Sequence, residues 1–346
     1  MISIIGGGPS GCYLAYLLAK SKKEVTIFEE HKEIGKPIQC TGILTRDLLD
    51  KINLPKEIIL NEITNAEIIG EKEKLNLKIS KPNLVIDRSK FDQFLAKKAI
   101  DAGANLKLNS KVIGVHRINK EFLIKTEKET IKSDIVIGAD GPFSQTSKYL
   151  SLFKNKDYLI GLQALVELKN DNSVKFFLRQ NGFKWIVPIN NKQARVGIAF
   201  DRAQKSDLDD FTKELKAKTI EYHAGIIPLF NPVGKRFEKN AYLIGDAAGL
   251  VKATTGGGII QSLISAECCS SSILDNKNYE ILWRKKLLSS LTIHKTIFNK
   301  LKKMSLPRID YLLSQLSIQD LETKSRDEIH KWVFKLLLKN PKLLFS

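Results

Sequence analysis

The first thirty residues constrain the fold of this chain more than any other segment. Residues 2–5 are a short apolar run that leads directly into a glycine turn, and a helical pattern with leucines on one stripe follows. A second apolar run, residues 25–28, ends at the acidic residue Glu29. The glycines have the spacing GxGxxG and are Gly6, Gly8 and Gly11. This order of strand, glycine turn, helix, strand and acid predicts a dinucleotide-binding βαβ unit of the Rossmann type.

Each residue type in this unit has a physical reason. Gly6 permits the tight turn, Gly8 lets backbone amides approach a pyrophosphate, and Gly11 lets the helix pack closely on the strand. The amino terminus of the helix supplies a partial positive charge to the phosphates. Glu29 stands where an acid accepts hydrogen bonds from the adenosine ribose hydroxyls. The segment therefore predicts a ligand with an adenosine diphosphate moiety, which FAD has and FMN lacks.

Length and composition indicate a globular chain of more than one compact unit. A chain of 346 residues suits two or three packed units. No apolar run approaches the roughly 20 residues that a membrane-spanning helix needs, and the amino terminus does not resemble a signal peptide. The four cysteines form no CxxC pair, which agrees with a reducing compartment. We therefore expect a cytoplasmic protein without a metal site.

The net charge of +18 is concentrated at the carboxyl-terminal end. Residues 281–346 hold 14 Lys and Arg against 5 Asp and Glu, a net +9. Such a segment suits an anionic partner, either a phospholipid surface or an acidic protein, and no nucleic-acid module is visible. As a helix, residues 330–339 would be basic and amphipathic, which favours peripheral contact with the inner face of the cell membrane. The alternative is a terminal helix docked on a domain with its lysines in solvent.

The rest of the chain predicts an α/β protein in which a Rossmann-type FAD-binding domain is joined to an antiparallel-sheet substrate domain and a helical carboxyl-terminal region. The predicted elements are strands over 66–86, 111–116, 121–126, 130–137 and 157–200, and helices over 89–102 and 206–221. The predicted domains are a discontinuous FAD-binding domain (1–60, 84–155 and 235–279), a substrate-binding sheet domain (61–83 and 156–234) and the helical region (280–346).

Two further motifs join the glycine turn. Asp140-Gly141 follows one apolar strand, and Gly245-Asp246-Ala-Ala-Gly249 follows another. With Gly6-x-Gly8-x-x-Gly11, this set resembles the flavoprotein superfamily that includes p-hydroxybenzoate hydroxylase. Within that superfamily, the chain is most similar to the geranylgeranyl reductases, especially the archaeal digeranylgeranylglycerophospholipid reductases. The resemblance covers residues 1 to about 275.

Four segments carry the finer resemblance. Gly35-Lys-Pro-Ile-Gln-Cys40-Thr-Gly42 resembles the family loop with a cysteine near the flavin, and Asp87-Arg88 matches a flavin-contacting arginine that opens a helix. Thr255-Gly-Gly-Gly258-Ile259 matches the glycine turn beside the flavin. Phe183-Lys-Trp185-Ile-Val-Pro188 resembles the substrate-domain sequence PxxYxWxFP, with the leading proline, the tyrosine and the phenylalanine replaced by Gln180, Phe183 and Val187. The hydrogen bond of the family tyrosine is therefore absent.

The resemblance implies a set of site residues. The cofactor contacts, including the glycine turn, would come from Gly6, Gly8, Ser10, Gly11, Glu29, Cys40, Thr41, Ile43, Arg88, Val112, Asp246, Gly258 and Ile259. The substrate contacts would come from Phe183, Trp185 and Val187. Cys40 is either a catalytic or flavin-positioning thiol or a small apolar filler, and Trp185 is either a cavity wall or core. His116 and His223 are interpreted as structural or exposed.

The activity that the resemblance implies is FAD-dependent saturation of carbon–carbon double bonds in polyprenyl chains of archaeal-type membrane lipids. An isolated alkene has no carbonyl to polarise, so such a protein chiefly orients an apolar chain and excludes water. The electron donor would be NAD(P)H or reduced ferredoxin, and the basic surface suits an acidic ferredoxin. The alternatives are a flavin-dependent monooxygenase or halogenase of the same fold, and a non-catalytic lipid-binding flavoprotein.

Overall fold

The structure, a computed structural model, describes residues 1–49 and 51–315. The strands are β1 (Ile2–Ile5), β2 (Val25–Phe28), β3 (Ile43–Leu44), β4 (Ile59–Ile69), β5 (Lys74–Ile86), β6 (Asn105–Lys107), β7 (Val112–Ile118), β8 (Glu121–Thr126), β9 (Thr130–Ser133), β10 (Ile135–Gly138), β11 (Tyr158–Glu167), β12 (Ser173–Arg179), β13 (Gly182–Asn190), β14 (Gln193–Phe200), β15 (Lys218–Pro228), β16 (Phe237–Glu238) and β17 (Ala241–Leu243). The helices are α1 (Pro9–Lys20), α2 (Arg88–Asp101), α3 (Gln145–Tyr149), α4 (Lys205–Glu214), α5 (Ile259–Asp275), α6 (Tyr279–Trp283), α7 (Ser289–Lys303) and α8 (Leu306–Ser314).

By the density of its contacts, the chain divides into two compact units, each built from three segments. The first unit comprises Met1–Lys36, Ser89–Tyr158 and Ile227–Thr292. The second comprises Pro37–Arg88 and Leu159–Ile226, with the described residues from Ile293 onward. The helices after residue 280 are thus shared between the two units. The predicted amphipathic helix at 330–339 lies outside the described residues.

The first unit contains a six-stranded sheet in the order β16-β17-β10-β1-β2-β6. Strand β1 lies near its centre and pairs in parallel with β2 on one side and β10 on the other. Both neighbours are buried along their length or nearly so, as is usual for parallel strands covered on both faces. A separate three-stranded antiparallel sheet, β7-β8-β9, follows α2 and β6. This arrangement confirms the α/β fold class that the glycine motif predicts.

The second unit contains an eight-stranded sheet in the order β15-β11-β14-β13-β12-β4-β5-β3. Its strands β11 to β14 pair antiparallel where they are neighbours, and β14 is buried along nearly its whole length. Helix α4 covers one face through Leu208 and Phe211, which pack on Ile186 and Val196. Residues of α7 and α8 pack on strand β5 in a separate apolar cluster.

A single carboxylate attaches α8 to the turn between β4 and β5. Asp310 accepts hydrogen bonds from the amide nitrogens of Glu71 at 2.9 Å, Lys72 at 3.1 Å and Glu73 at 3.2 Å. Burial works to raise the pKa of Asp310, but these backbone donors outweigh it and hold the pKa below its ordinary value.

Two sequence-based expectations need correction. The helix expected over 206–221 ends at Glu214, and β15 begins at Lys218. The helix stops because Lys216 adopts a left-handed backbone with φ 52°, after which Thr219, Ile220 and Tyr222 favour a strand. The strand expected over 130–137 is two strands, β9 and β10, which belong to different sheets.

In the described part of the chain, no helix combines the length and the apolar character that crossing a membrane requires.

Candidate flavin site

The glycine turn of the first unit has the geometry of an anion cradle. Gly6 has φ 106°, and a Cβ atom there would lie 2.3 Å from the carbonyl oxygen of Ala139. A Cβ on Gly11 would lie 2.1 Å from the carbonyl oxygen of Gly6, so only glycine lets α1 approach β1 this closely. At Gly8, by contrast, an added Cβ would meet no protein atom within 4 Å. The space at the start of α1 is therefore open.

The amino terminus of α1 is free to bind an anion from that open side. Gly8 is its N-cap and has no side chain that could cap the helix, and Pro9 occupies the first turn. The amides at a helix start carry partial positive charge and lack intrahelical acceptors. Residues 8–11 thus fit a pyrophosphate group.

Glu29 stands at the end of β2, buried against the glycine turn. One carboxylate oxygen accepts from the amide of Gly7 at 2.7 Å, and the other accepts from the amide of His31 at 2.9 Å. The carbonyl of Glu29 accepts from the amide of Ser110 at 2.8 Å, two residues before Val112. Val112, at the start of β7, therefore follows within two residues of a backbone contact to Glu29, the acid that is predicted to bind ribose.

The second flavin motif meets the first within the same unit. A Cβ atom on Gly245 would lie 2.8 Å from Oγ of Ser10, on α1. The turn that follows brings Asp246 beside Gly258, the N-cap of α5. Ile259, the first residue of α5, is buried, and no side chain caps this helix either. Ser10, Asp246, Gly258 and Ile259, which are distant in sequence, are thus gathered around two helix amino termini.

A buried arginine that the sequence analysis did not single out fixes this second motif. The guanidinium of Arg236 donates to the carbonyl oxygens of Ala248 at 2.7 Å, Asn231 at 2.6 Å and Gly234 at 3.2 Å. Its aromatic cage is formed by Phe153, Phe230 and Trp283. Burial lowers the pKa of Arg236 to about 10, so the side chain is still charged at neutral pH. Arg236 holds the turn after Asp246 through Ala248.

Asp140 of the Asp-Gly motif has a structural task in the first unit. One of its carboxylate oxygens accepts from Oγ of Ser144 at 2.6 Å, and the other accepts from the amide and the hydroxyl of Thr146, both at 2.9 Å. Ser144 in turn caps α3. The motif residue therefore orders the loop after β10.

In the second unit, the Cys40 loop is held against strands of the eight-stranded sheet. Ile43 pairs with Val85 on β5, and the Cys40 sulfur accepts from the amide of Gly42 at 3.3 Å. Gly42 has φ 70°, and a Cβ atom there would lie 3.2 Å from Cγ of Arg88. The unit thus gathers Cys40, Thr41, Ile43 and Arg88.

Arg195, on β14, anchors this loop and was also missed from the sequence. Its buried guanidinium donates to the carbonyl oxygens of Thr41 at 2.5 Å and Ile86 at 3.1 Å. Burial lowers the pKa of Arg195, while Cys40 and Asp87 work in the opposite direction. An arginine at an alternating strand position gives no signal in the sequence that it is buried.

The predicted substrate residues lie on one face of β13, the face opposite α4. Phe176 stacks on Phe183 with ring centroids 4.8 Å apart, and Phe183 lies 5.8 Å from Trp185. Trp185 is half-buried, whereas Phe183 and Val187 are buried, and Val187 packs with Ile63 and Val85. The face is therefore an aromatic band of which Trp185 is the more exposed end along β13.

The four cysteines all lie in the described residues, and none of them forms a disulfide there. Cys12, Cys268 and Cys269 are buried on helices, and burial raises the pKa of the Cys12 and Cys269 thiols. Cys40 is partly exposed.

The fold and the paired motifs of the first unit define a class of protein, the FAD-dependent oxidoreductases. A family model described as an FAD binding domain matches residues 1–241, more than half of the chain, so the chain belongs to the FAD-binding domain family. A digeranylgeranylglycerophospholipid reductase of Methanococcus vannielii is 28% identical over 99% of this chain and 96% of its own length. This relative confirms the resemblance to the geranylgeranyl reductases.

Solved structures show the same fold. A geranylgeranyl bacteriochlorophyll reductase-like protein of Thermoplasma acidophilum superposes with a TM-score of 0.86 at 24% identity, covering 99% of this chain and 97% of that one. CmlS, a flavin-dependent halogenase, superposes with a TM-score of 0.73 at 16% identity, covering 100% of this chain and 70% of that one. At these identities the likeness extends to the fold and not to the substrate.

Proposed function

We propose that this protein saturates carbon–carbon double bonds of geranylgeranyl or related polyprenyl chains, in lipids of the archaeal membrane type. The observation that carries the proposal is the aromatic band of Phe176, Phe183 and Trp185 on the sheet face of the second unit. Aromatic faces offer a large apolar contact area and few hydrogen-bonding groups, which suits a hydrocarbon chain. The name of the Methanococcus relative supports the same substrate class.

When bound, FAD supplies hydride transfer for such a reduction. The residues of the chain would hold and orient the reactants. Glycines 6, 8 and 11 with the start of α1 would bind the pyrophosphate, Glu29 the adenosine ribose, and Asp246 a ribityl hydroxyl. Trp185 would orient the prenyl chain. The role of Cys40, as a thiol beside the flavin or as a filler, is part of this proposal.

The electron donor belongs to the proposal as well. The chain has one glycine motif of the dinucleotide type, so NAD(P)H would bind transiently, or a reduced ferredoxin would dock on the basic surface. Following the rate of flavin reduction separately with NADPH, NADH and reduced ferredoxin identifies the donor.

Peripheral contact with the membrane would bring the protein to its substrate. The net +9 of residues 281–346 favours anionic lipid, at about 1 kcal/mol for each lysine near the surface. Co-sedimentation with anionic vesicles should therefore fall as salt rises. Equal binding to neutral vesicles, or no binding to anionic ones, would contradict this contact.

The decisive experiment is anaerobic reduction of the purified protein followed by incubation with an unsaturated digeranylgeranylglycerol phospholipid. Mass spectrometry should show a gain of one hydrogen molecule for each saturated bond. Aerobic incubation of the reduced protein with halide and an aromatic acceptor tests the monooxygenase and halogenase alternatives. A protein that binds the lipid and changes neither substrate would be a lipid-binding flavoprotein without catalysis.

A further inference from the structure

Three strands of the eight-stranded sheet place Gln163, Gly197 and Trp185 in one row. Gln163 on β11 is opposite Gly197 on β14, and Gly197 is opposite Trp185 on β13. A Cβ atom on Gly197 would lie 2.1 Å from Cζ2 of Trp185. The indole of Trp185 therefore lies across β14, in space that exists because residue 197 has no side chain.

The indole nitrogen of Trp185 is hydrogen-bonded to the buried side-chain amide of Gln163. Nε1 of Trp185 donates to Oε1 of Gln163 at 3.4 Å, and the hydroxyl of Thr41 donates to the same oxygen at 2.8 Å. Gln163 is only 5% exposed, so its hydrogen-bonding groups have few alternatives in water. The amide thus connects the tryptophan of the aromatic band to the loop that carries Cys40.

The orientation of this amide follows from its donors. An indole N–H can only donate, so the oxygen of Gln163 must face Trp185 and the nitrogen must face away. That nitrogen lies 3.3 Å from Nδ1 of His223, which then accepts. The other ring nitrogen, Nε2, lies 3.2 Å from the carboxylate of Glu221. His223, interpreted from the sequence as structural or exposed, is the residue that the nitrogen of this amide contacts.

We propose that Gln163 is a positioning residue, which holds the Trp185 indole flat across Gly197 and in register with Thr41 of the Cys40 loop. The proposal rests on the proposed function for its effect on turnover, because Trp185 is the predicted contact of the prenyl chain. Without the amide, the indole loses its polar tether and can adopt other rotamers on the sheet. A substrate chain resting on it would then be misplaced relative to the reacting groups, an error that costs about 10-fold to 100-fold in rate.

Two substitutions at Gln163 distinguish the effect of its hydrogen-bond acceptor from the effect of its side-chain volume. Gln163→Met keeps the length and removes the acceptor, whereas Gln163→Glu keeps an acceptor oxygen for Trp185 and Thr41. The matched control is Gln193→Met, on β14 of the same sheet, where the side chain accepts a hydrogen bond from the nearby Asn190 at 3.3 Å. Gly197→Ala is an independent variant, because the added methyl group displaces the indole directly.

The first readout is the indole N–H resonance of Trp185 in the FAD-bound protein, assigned by its loss in Trp185→Phe. In Gln163→Met and in Gly197→Ala, the resonance should shift and its hydrogen exchange should accelerate about ten-fold. In Gln163→Glu and Gln193→Met, it should stay protected. An unchanged resonance in Gln163→Met overturns the proposal. If Gln163→Met does not fold, an unchanged resonance in Gly197→Ala overturns it instead.

The second readout is lipid turnover. Gln163→Met should lower kcat/KM about ten-fold or more at unchanged FAD content, with Gln163→Glu recovering most of the loss. Equal turnover in Gln163→Met and the unaltered protein would refute a positioning role even if the resonance moves. If the unaltered protein saturates no prenyl bond, the proposed function fails, and the resonance alone decides whether Gln163 positions the indole.

Discussion

The carboxylate of Asp246 lies directly beside Gly258, so that a Cβ atom on Gly258 would approach Oδ1 to 3.0 Å. The acid and the uncapped start of α5 therefore share one small volume. A side chain at position 258 would push the acid aside, whereas glycine leaves room for the carboxylate beside the start of the helix.

Asp246→Ala should weaken FAD binding strongly while leaving the fold intact. If Asp246 binds a ribityl hydroxyl as proposed, the substitution would remove a hydrogen bond to a charged group, which is worth about 1.5–3 kcal/mol or about 10-fold to 100-fold in Kd. Titration of the apoprotein with FAD, followed by flavin fluorescence, measures the effect. Asp275→Ala, at the exposed far end of α5, is the control and should bind FAD normally. Wild-type affinity in Asp246→Ala would show that the ribityl contact has been assigned wrongly.

Gly8→Ala should mainly weaken FAD binding, whereas Gly11→Ala should mainly lower the stability of the fold. The methyl group at position 8 meets no protein atom, so the variant should fold with a normal Tm but bind FAD less well, because the group fills the anion cradle. The methyl group at position 11 would collide with the carbonyl of Gly6, so that variant should lose stability first. Thermal unfolding of the apoproteins, measured beside FAD affinity, distinguishes the two. A Gly8→Ala protein that binds FAD normally would place the pyrophosphate elsewhere.

Trp185→Ala should impair turnover of a long prenyl lipid much more than flavin binding. Truncating a fully buried core tryptophan to alanine lowers the free energy of unfolding by about 3–5 kcal/mol. Trp185 is only half-buried, so we expect a smaller loss of stability. Activity, Tm and FAD content have to be measured on the same preparation. Loss of flavin in proportion to activity would make Trp185 a core residue, and normal turnover would count against the prenyl reductase proposal.

The link between Asp310 and the β4–β5 turn should make part of the stability depend on pH. Because the pKa of Asp310 is held below its ordinary value, its contribution is present above about pH 4 and is lost as pH falls through the folded-state pKa. Asp310→Ala should lower the free energy of unfolding by about 1–3 kcal/mol at neutral pH, with the difference shrinking in acid. Asp210→Ala, at an exposed position of α4, is the control. A difference that persists unchanged at low pH would contradict the assignment.

The sequence predicts the local elements of the fold correctly where the hydrophobic periodicity and the turn-forming residues indicate the same boundaries. Strands β1 and β2 coincide with the expected apolar runs, and the glycine turn falls between β1 and α1. At 206–221, the helical pattern was extended too far, because the periodicity gives no sign of a left-handed residue at Lys216. The end of that helix depends on one backbone conformation.

The parts of the site that the sequence did not reveal depend on distant contacts. Arg236 and Arg195 are buried and donate hydrogen bonds to backbone carbonyls. Because every residue has a backbone carbonyl, the sequence does not indicate which carbonyls an arginine will contact. Gln163 becomes significant only because Gly197 lets the indole of Trp185 reach it across a neighbouring strand. The motifs therefore predict a set of residues that would face a flavin, but they do not predict which residues hold that set in place.

The strand order of the six-stranded sheet has a consequence for biosynthesis. Strand β1 is synthesised before its sheet neighbour β10, which follows more than a hundred residues later, and β17 beside β10 follows later still. The glycine turn after β1 meets Gly245 only when that later segment has left the ribosome. During translation the nascent chain therefore exposes an apolar strand and half of a nucleotide cradle for a long interval. Because the cradle is completed only by the later segment, we expect flavin capture only after the segment that carries α5 has left the ribosome.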